Sequence, residues 1–195
     1  MASSPTKVRA PEASEFPSLD EAVRFFQESG FLYQTIPKIG ELVASLGPEA
    51  HTTDGFDKHF KETAFCHQYL RHVLEPYTRT PSAFSFLLGC DPVRYFALTV
   101  DSSVPQYQGH PIAVYVWGRN SELECAKGSQ AGNFTAKEWA NQLFYIPYPQ
   151  IKGNFSEIHA TLKEGGIIVA HPRLAFIVKS GTSIGYVWEA SPVNK

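Results

Sequence analysis

The sequence predicts an α+β protein: helices at the front, then a β-sandwich or jelly roll as the main body. Three observations predict it. Apolar residues recur at helical spacing before Val73, short β-branched and aromatic runs follow Pro76, and 14 Gly and 14 Pro punctuate the chain. Of its 195 residues 43% are hydrophobic, 13% aromatic and only 18% charged, too apolar a balance for a disordered chain. The length suits a single domain. A formal net charge of -2 offers no basic surplus for nucleic acid. No stretch approaches the roughly 18 apolar residues of a membrane span.

Residues 1–16 are polar and Pro/Ser-rich and are expected to form a mobile tail, leaving 17–195 as the domain. Ser18-Leu-Asp-Glu21 is a capping box ahead of Ala22, Val23, Phe25 and Phe26, and Gly30 can close that helix. Thr35-Ile-Pro37 begins a second helix with Ile39, Leu42, Val43 and Leu46 on one face, stopped by Gly47-Pro48. A third helix is read from about Asp54 to Val73. Strands are expected at Ala83–Leu88, Tyr95–Val100, Pro111–Trp117, Leu123–Ala126, Ile158–Leu162, Gly166–Ala170, Leu174–Val178 and Ile184–Glu189. A short helix is expected at Thr135–Leu143, where Thr135 can cap and Glu138 stands three residues later.

Cys66, Cys90 and Cys125 show no CxxC or zinc-finger spacing, so reduced thiols and a cytoplasmic setting are expected. The first residues hold no apolar core of a secretory signal, and the sequons at Asn133 and Asn154 are read as chance.

Three segments carry a resemblance. They are Phe25-Phe-Gln-Glu-Ser-Gly-Phe31, then Pro111–Trp117 with Lys127-Gly-Ser129, and finally Gly165-Gly-Ile-Ile-Val-Ala-His-Pro-Arg-Leu-Ala-Phe176. In this order they resemble phytanoyl-CoA dioxygenase-like proteins of the Fe(II)/2-oxoglutarate oxygenase superfamily. The resemblance implies a double-stranded β-helix with N-terminal helices packed on it and an active site in its mouth. The family holds Fe(II) with an HxD pair and a distant His, which leaves positions for 2-oxoglutarate and dioxygen. Laid on this chain, the HxD pair falls on Thr99-Val-Asp101, the distant His on Phe176 and the His of the "GSH" turn on Gln130. The family's 2-oxoglutarate arginine would follow Ser183, where Ile184-Gly-Tyr-Val187 stands instead. Phe cannot ligate iron, and a carboxylate without Arg loses its bidentate partner. No metal and no cofactor are therefore expected. A rearranged site would have to combine Asp101 with two of His110, His159 and His171; His59, Cys66, His67 and His72 read as ordinary helix residues.

Strand alternation puts Ala113, Tyr115, Trp117 and Arg119 on one face of the central strand, inward if the family register holds. Asp101, Tyr115, Arg119 and His171 are the candidate catalytic residues. Thr99, Tyr107, Trp117, Ser129, Gln130, Phe176, Tyr186 and Trp188 are candidates for binding a small hydrophobic metabolite. The same aromatics could simply fill the core. Three functions follow. One is a metal- and cofactor-independent enzyme of specialised metabolism catalysing a cyclisation, isomerisation or elimination, with Asp101 as acid or base. A second is a catalytically silent partner of a pathway enzyme, with a homodimer as one use of its aromatic surface. The third is an iron oxygenase with unusual ligands. A closed, water-poor cavity with Asp101 facing Tyr115 favours catalysis, and a collapsed core filled by Phe176 and Trp117 favours the silent protein.

Overall fold

The computed structural model describes residues 8–46, 67–75, 77–79, 86–101, 111–140 and 143–190. In chain order the elements are β1 (Val8–Arg9), α1 (Leu19–Ser29), β2 (Phe31–Thr35), α2 (Pro37–Leu46), α3 (Gln68–Leu74), β3 (Tyr77–Arg79), β4 (Phe86–Leu88), β5 (Asp91–Ala97), β6 (Ile112–Trp117), β7 (Ser121–Lys127), β8 (Lys137–Glu138), β9 (Phe144–Ile146), α4 (Tyr148–Ile151), β10 (Ser156–Leu162), β11 (Gly166–Ala170), β12 (Phe176–Ser180) and β13 (Ser183–Ala190). Two 3-10 turns, Ala13–Glu15 and Ser129–Ala131, complete them.

One sheet runs β1-β10-β7-β12-β5-β9-β8, the other β2-β11-β6-β13-β3, with β4 also paired to β13. From β5 onward the chain crosses repeatedly between the two: β6 joins the second sheet, β7 the first, β11 the second, β12 the first, β13 the second. This is the expected jelly roll, a double-stranded β-helix.

Alternation along each strand divides the apolar residues into three layers. Between the sheets lie Ala113, Tyr115, Trp117, Leu123, Cys125, Ile168, Ala170, Phe96, Phe176 and Val178. The outer face of the second sheet, with Val114, Val116, Ile167, Val169, Ile184 and Tyr186, is covered by α1, α2 and α3. The outer face of the first sheet, with Tyr95, Ala97, Ala126 and Ile177, packs beneath Ile151 of α4 and Phe134 and Phe155.

The helix signals hold locally. Ser18 Oγ accepts from the Glu21 amide at 3.3 Å, and Gly30 (φ 84°) ends α1 with its N–H on the Phe26 carbonyl. α2 begins at Pro37 as read, and its Gly40 has a packing reason: a Cβ there would stand 2.1 Å from the Glu164 carbonyl oxygen. α3 is the described end of the third helix; the rest of Asp54–Val73 lies outside the described residues.

Three expectations change. The chain is tied down from Val8: β1 pairs with β10 in parallel, the Ala10 amide donates to the His159 carbonyl, and the Glu12 carboxylate accepts from Gln34 and Thr35. Thr35 ends a strand and does not begin a helix, because 31–35 pairs residue for residue with β11. Around Thr135 there is no helix among the described residues; β8 forms instead. The Gln150 side chain exchanges hydrogen bonds with the Thr135 backbone (2.9 and 2.6 Å), so the Thr135 carbonyl is engaged there and not in a helical turn.

Candidate functional site

The mouth is framed by the end of β5, the turn His171–Ala175 and the start of β12. Pro172 accepts from the Leu98 and Thr99 amides (2.9 and 3.1 Å), which carries the chain after β5 across that turn. Thr99 Oγ1 accepts from the Asp101 amide at 3.2 Å, a local side-chain turn. Asp101 is exposed at the rim. Phe176, the first residue of β12, stands opposite Phe96 and Cys125. Register therefore brings Thr99, Asp101 and Phe176 to the end of one strand and the start of its neighbour, as the resemblance implies.

What they present is an aromatic plug. Phe176 is 2% exposed and its ring meets Tyr115 edge-on at 5.4 Å; Tyr115 in turn packs on the buried Trp117. The space left among Tyr115, Leu123, Cys125, Ile168, Ala170, Leu174 and Phe176 is about 10 Å³, at the lower limit for one water. Burial pushes the Tyr115 phenol and the Cys125 thiol well up from their ordinary pKa, so both stay protonated.

This donor set does not fit Fe(II). Thr99, Asp101 and Phe176 offer one carboxylate, one hydroxyl and no imidazole, where a facial triad needs two imidazoles and a carboxylate. Among the described residues no group of three His, Cys, Asp or Glu is arranged to hold a metal.

The polar candidates make hydrogen bonds to the backbone. Ser129 Oγ accepts from the buried Ala175 amide at 2.8 Å. Gln130 donates through Nε2 to the Gln27 carbonyl at 2.9 Å, tying the turn to the end of α1. His171 is buried, and its Nδ1 accepts from the Arg173 amide at 3.1 Å, so the ring carries its proton on Nε2. Arg173, which sequence reasoning passed over, is only 3% exposed and donates to the Gly132 carbonyl. Burial lowers its pKa, and Asp101 works against that shift.

Three candidates sit elsewhere. Arg119 is not on the inward face: β6 ends at Trp117, Gly118 donates to Thr182, and the turn with Asn120 at φ 58° breaks the alternation. Its guanidinium, half exposed, meets Glu41 and Glu164 on the surface. Tyr186 stands opposite Val114 and shares its helix-covered face, so it is not a wall of the mouth. His159 projects from the outer face of the first sheet, 3.6 Å from Glu122 and 3.9 Å from Glu124. Trp188 belongs to β13 by its backbone; its side chain, with Tyr107, His110, His59 and Cys66, lies outside the described residues.

The alternation of 121–127 puts Glu124 on the outer face of the first sheet, where it would be expected in water. It is nearly buried, takes the Tyr95 hydroxyl hydrogen at 2.7 Å, and pairs with Lys179 at 3.0 Å. Burial pushes this carboxyl up, but Tyr95, Lys179 and His159 together hold it below its ordinary range.

No family model matches the chain, and no curated protein matches it. Solved structures do. The non-heme α-ketoglutarate-dependent carbocyclase SnoK from nogalamycin biosynthesis is 12% identical, covering 92% of this chain and 86% of its own, at a TM-score of 0.54. The epimerase SnoN, solved with Fe3+ and α-ketoglutarate, is 10% identical over 91% of this chain and 87% of its own, at 0.55. AviO1 from Streptomyces viridochromogenes is 13% identical over 91% and 98%, at 0.51. The likeness is one of fold, to non-heme iron, 2-oxoglutarate-type enzymes at large, and does not single out the phytanoyl-CoA subfamily. Among the described residues no helix is long and apolar enough to cross a membrane.

Proposed function

We propose that this chain is a catalytically silent protein on an oxygenase-like scaffold, a binding partner in small-molecule biosynthesis that uses neither iron nor 2-oxoglutarate. One observation carries the reading: Phe176 and Trp117 fill the space between the sheets where the architecture would otherwise hold its reacting groups. Ser129, Gln130 and His171 each make a backbone hydrogen bond, which supports a structural role for them. The reading sets the chain in the cytoplasm, with a small hydrophobic metabolite or a pathway enzyme as partner. The test is succinate formation from 2-oxoglutarate by purified protein given Fe(II), ascorbate and oxygen. None above a protein-free control is expected; sustained succinate formation overturns the reading.

A second reading has its own support. The carbocyclase and epimerase among the solved neighbours make net cyclisation or isomerisation plausible on this scaffold. Here the chain would act without a metal, with Asp101 as acid or base at the rim. Turnover of a metabolite by metal-stripped protein, lost in Asp101→Asn, would favour it over the silent protein.

A further inference from the structure

Between the turn that joins β4 to β5 and Phe96 near the end of β5 lies a groove of about 200 Å³. Its floor is apolar: Leu88, Phe96, Leu143 and Val178 are all buried. Its rim holds Trp139, still 44% exposed, with Gly89 and Cys90 opposite in the lining. We propose that this groove is a binding site for a small, flat, uncharged aromatic molecule of bicyclic size. The proposal goes beyond the silent-partner reading and stands whether or not the scaffold catalyses anything.

Size and charge both select that occupant. An apolar cavity of about 150 Å³ takes benzene, so about 200 Å³ suits a ring system one size larger. The carboxylate in the wall, Asp91, is 2.8 Å from the Arg94 guanidinium, which itself lies 4.7 Å over the Trp139 ring. Each charge is thus answered within the protein, and a charged ligand would lose its hydration with no partner gained. Trp139 and Phe96, tilted at 47° to one another, supply aromatic surface for ring contacts.

The groove also permits a clean block. Gly89 is in the lining and a Cβ there meets no atom within 4 Å, so Gly89→Phe adds a bulky ring at the groove without a clash at its Cβ. The probe is 2-naphthol, followed by its own fluorescence against the full chain. Saturable binding is expected, weakened about tenfold by Gly89→Phe and about fivefold by Trp139→Ala. Naphthalene-2-sulfonate, of the same shape but charged, is expected to bind at least about fivefold more weakly. Saturating 2-naphthol should slow iodoacetamide alkylation of Cys90, read on the Cys90 peptide, by about fivefold. Circular dichroism and the melting curve of Gly89→Phe report that it folds. Non-saturable binding, or binding that a folded Gly89→Phe leaves unchanged with Cys90 unprotected, overturns the proposal. So does a concentration-dependent dimer abolished by Gly89→Phe without naphthol binding, which would give the groove to a second copy.

Discussion

Removing the plug should be costly. Phe176 is 2% exposed and fully surrounded by Tyr115, Phe96 and Cys125. A buried phenylalanine removes about 200 Å² from water, which at about 25 cal/mol per Å² corresponds to about 5 kcal/mol. Alanine retains part of that, and the void already present is only about 10 Å³, so little room exists for collapse. Phe176→Ala is therefore expected to destabilise the chain by about 3–5 kcal/mol, a large share of the roughly 5–15 kcal/mol of a typical domain. Equilibrium urea unfolding of both proteins measures it. The enlarged apolar space should also take up benzene, seen as a midpoint raised in the variant and unchanged in the parent. A loss under about 1 kcal/mol would show that Phe176 is not packed between the sheets and would refute the plug.

Other substitutions separate structural roles from catalytic ones. Ser129→Ala leaves the buried Ala175 amide without its acceptor and should cost about 1–3 kcal/mol in the same unfolding assay. Arg119→Ala breaks only half-exposed surface pairs, and a change below about 1 kcal/mol is expected. Gly40→Ala drives a Cβ against the Glu164 carbonyl; a melting temperature lowered by several degrees, about 2–4 °C per kcal/mol for this size, reads the close approach of α2 to the turn before β11. The folded state holds the Glu124 carboxyl below its ordinary pKa of 4.5, so the stability it contributes is complete above that value and is lost as pH falls through the folded one. Parent and Glu124→Gln should accordingly differ most well above pH 4.5 and converge as pH falls through the lowered folded value; a gap that widens in acid contradicts the assignment.

The fold was legible where its causes are local. The β-branched and aromatic run at 112–117, the Ser18 cap and the Gly30 stop need only neighbouring residues, and each formed where read. β2 was not legible, because Phe31, Leu32 and Tyr33 are buried on both faces and show no alternation to mark a strand. The same double burial hid the side on which Tyr186 stands; only its pairing with Val114 decides it. Of the site, the motif order placed Thr99, Asp101 and Phe176 together, and the pairing of Phe96 with Phe176 makes the end of β5 and the start of β12 neighbours. Arg119 was misplaced because alternation was carried past Trp117 into a turn. Glu124, Lys179 and Tyr95 lie on three different strands, so no local pattern announces their cluster.

The central claim is that Phe176, where the resemblance expects an iron-binding His, packs into an aromatic core. Iron content after anaerobic loading with Fe(II) and 2-oxoglutarate, followed by desalting, tests it directly. The account predicts far less than one iron per chain, unchanged by Asp101→Ala. One tightly held iron per chain, lost in Asp101→Ala, would contradict it.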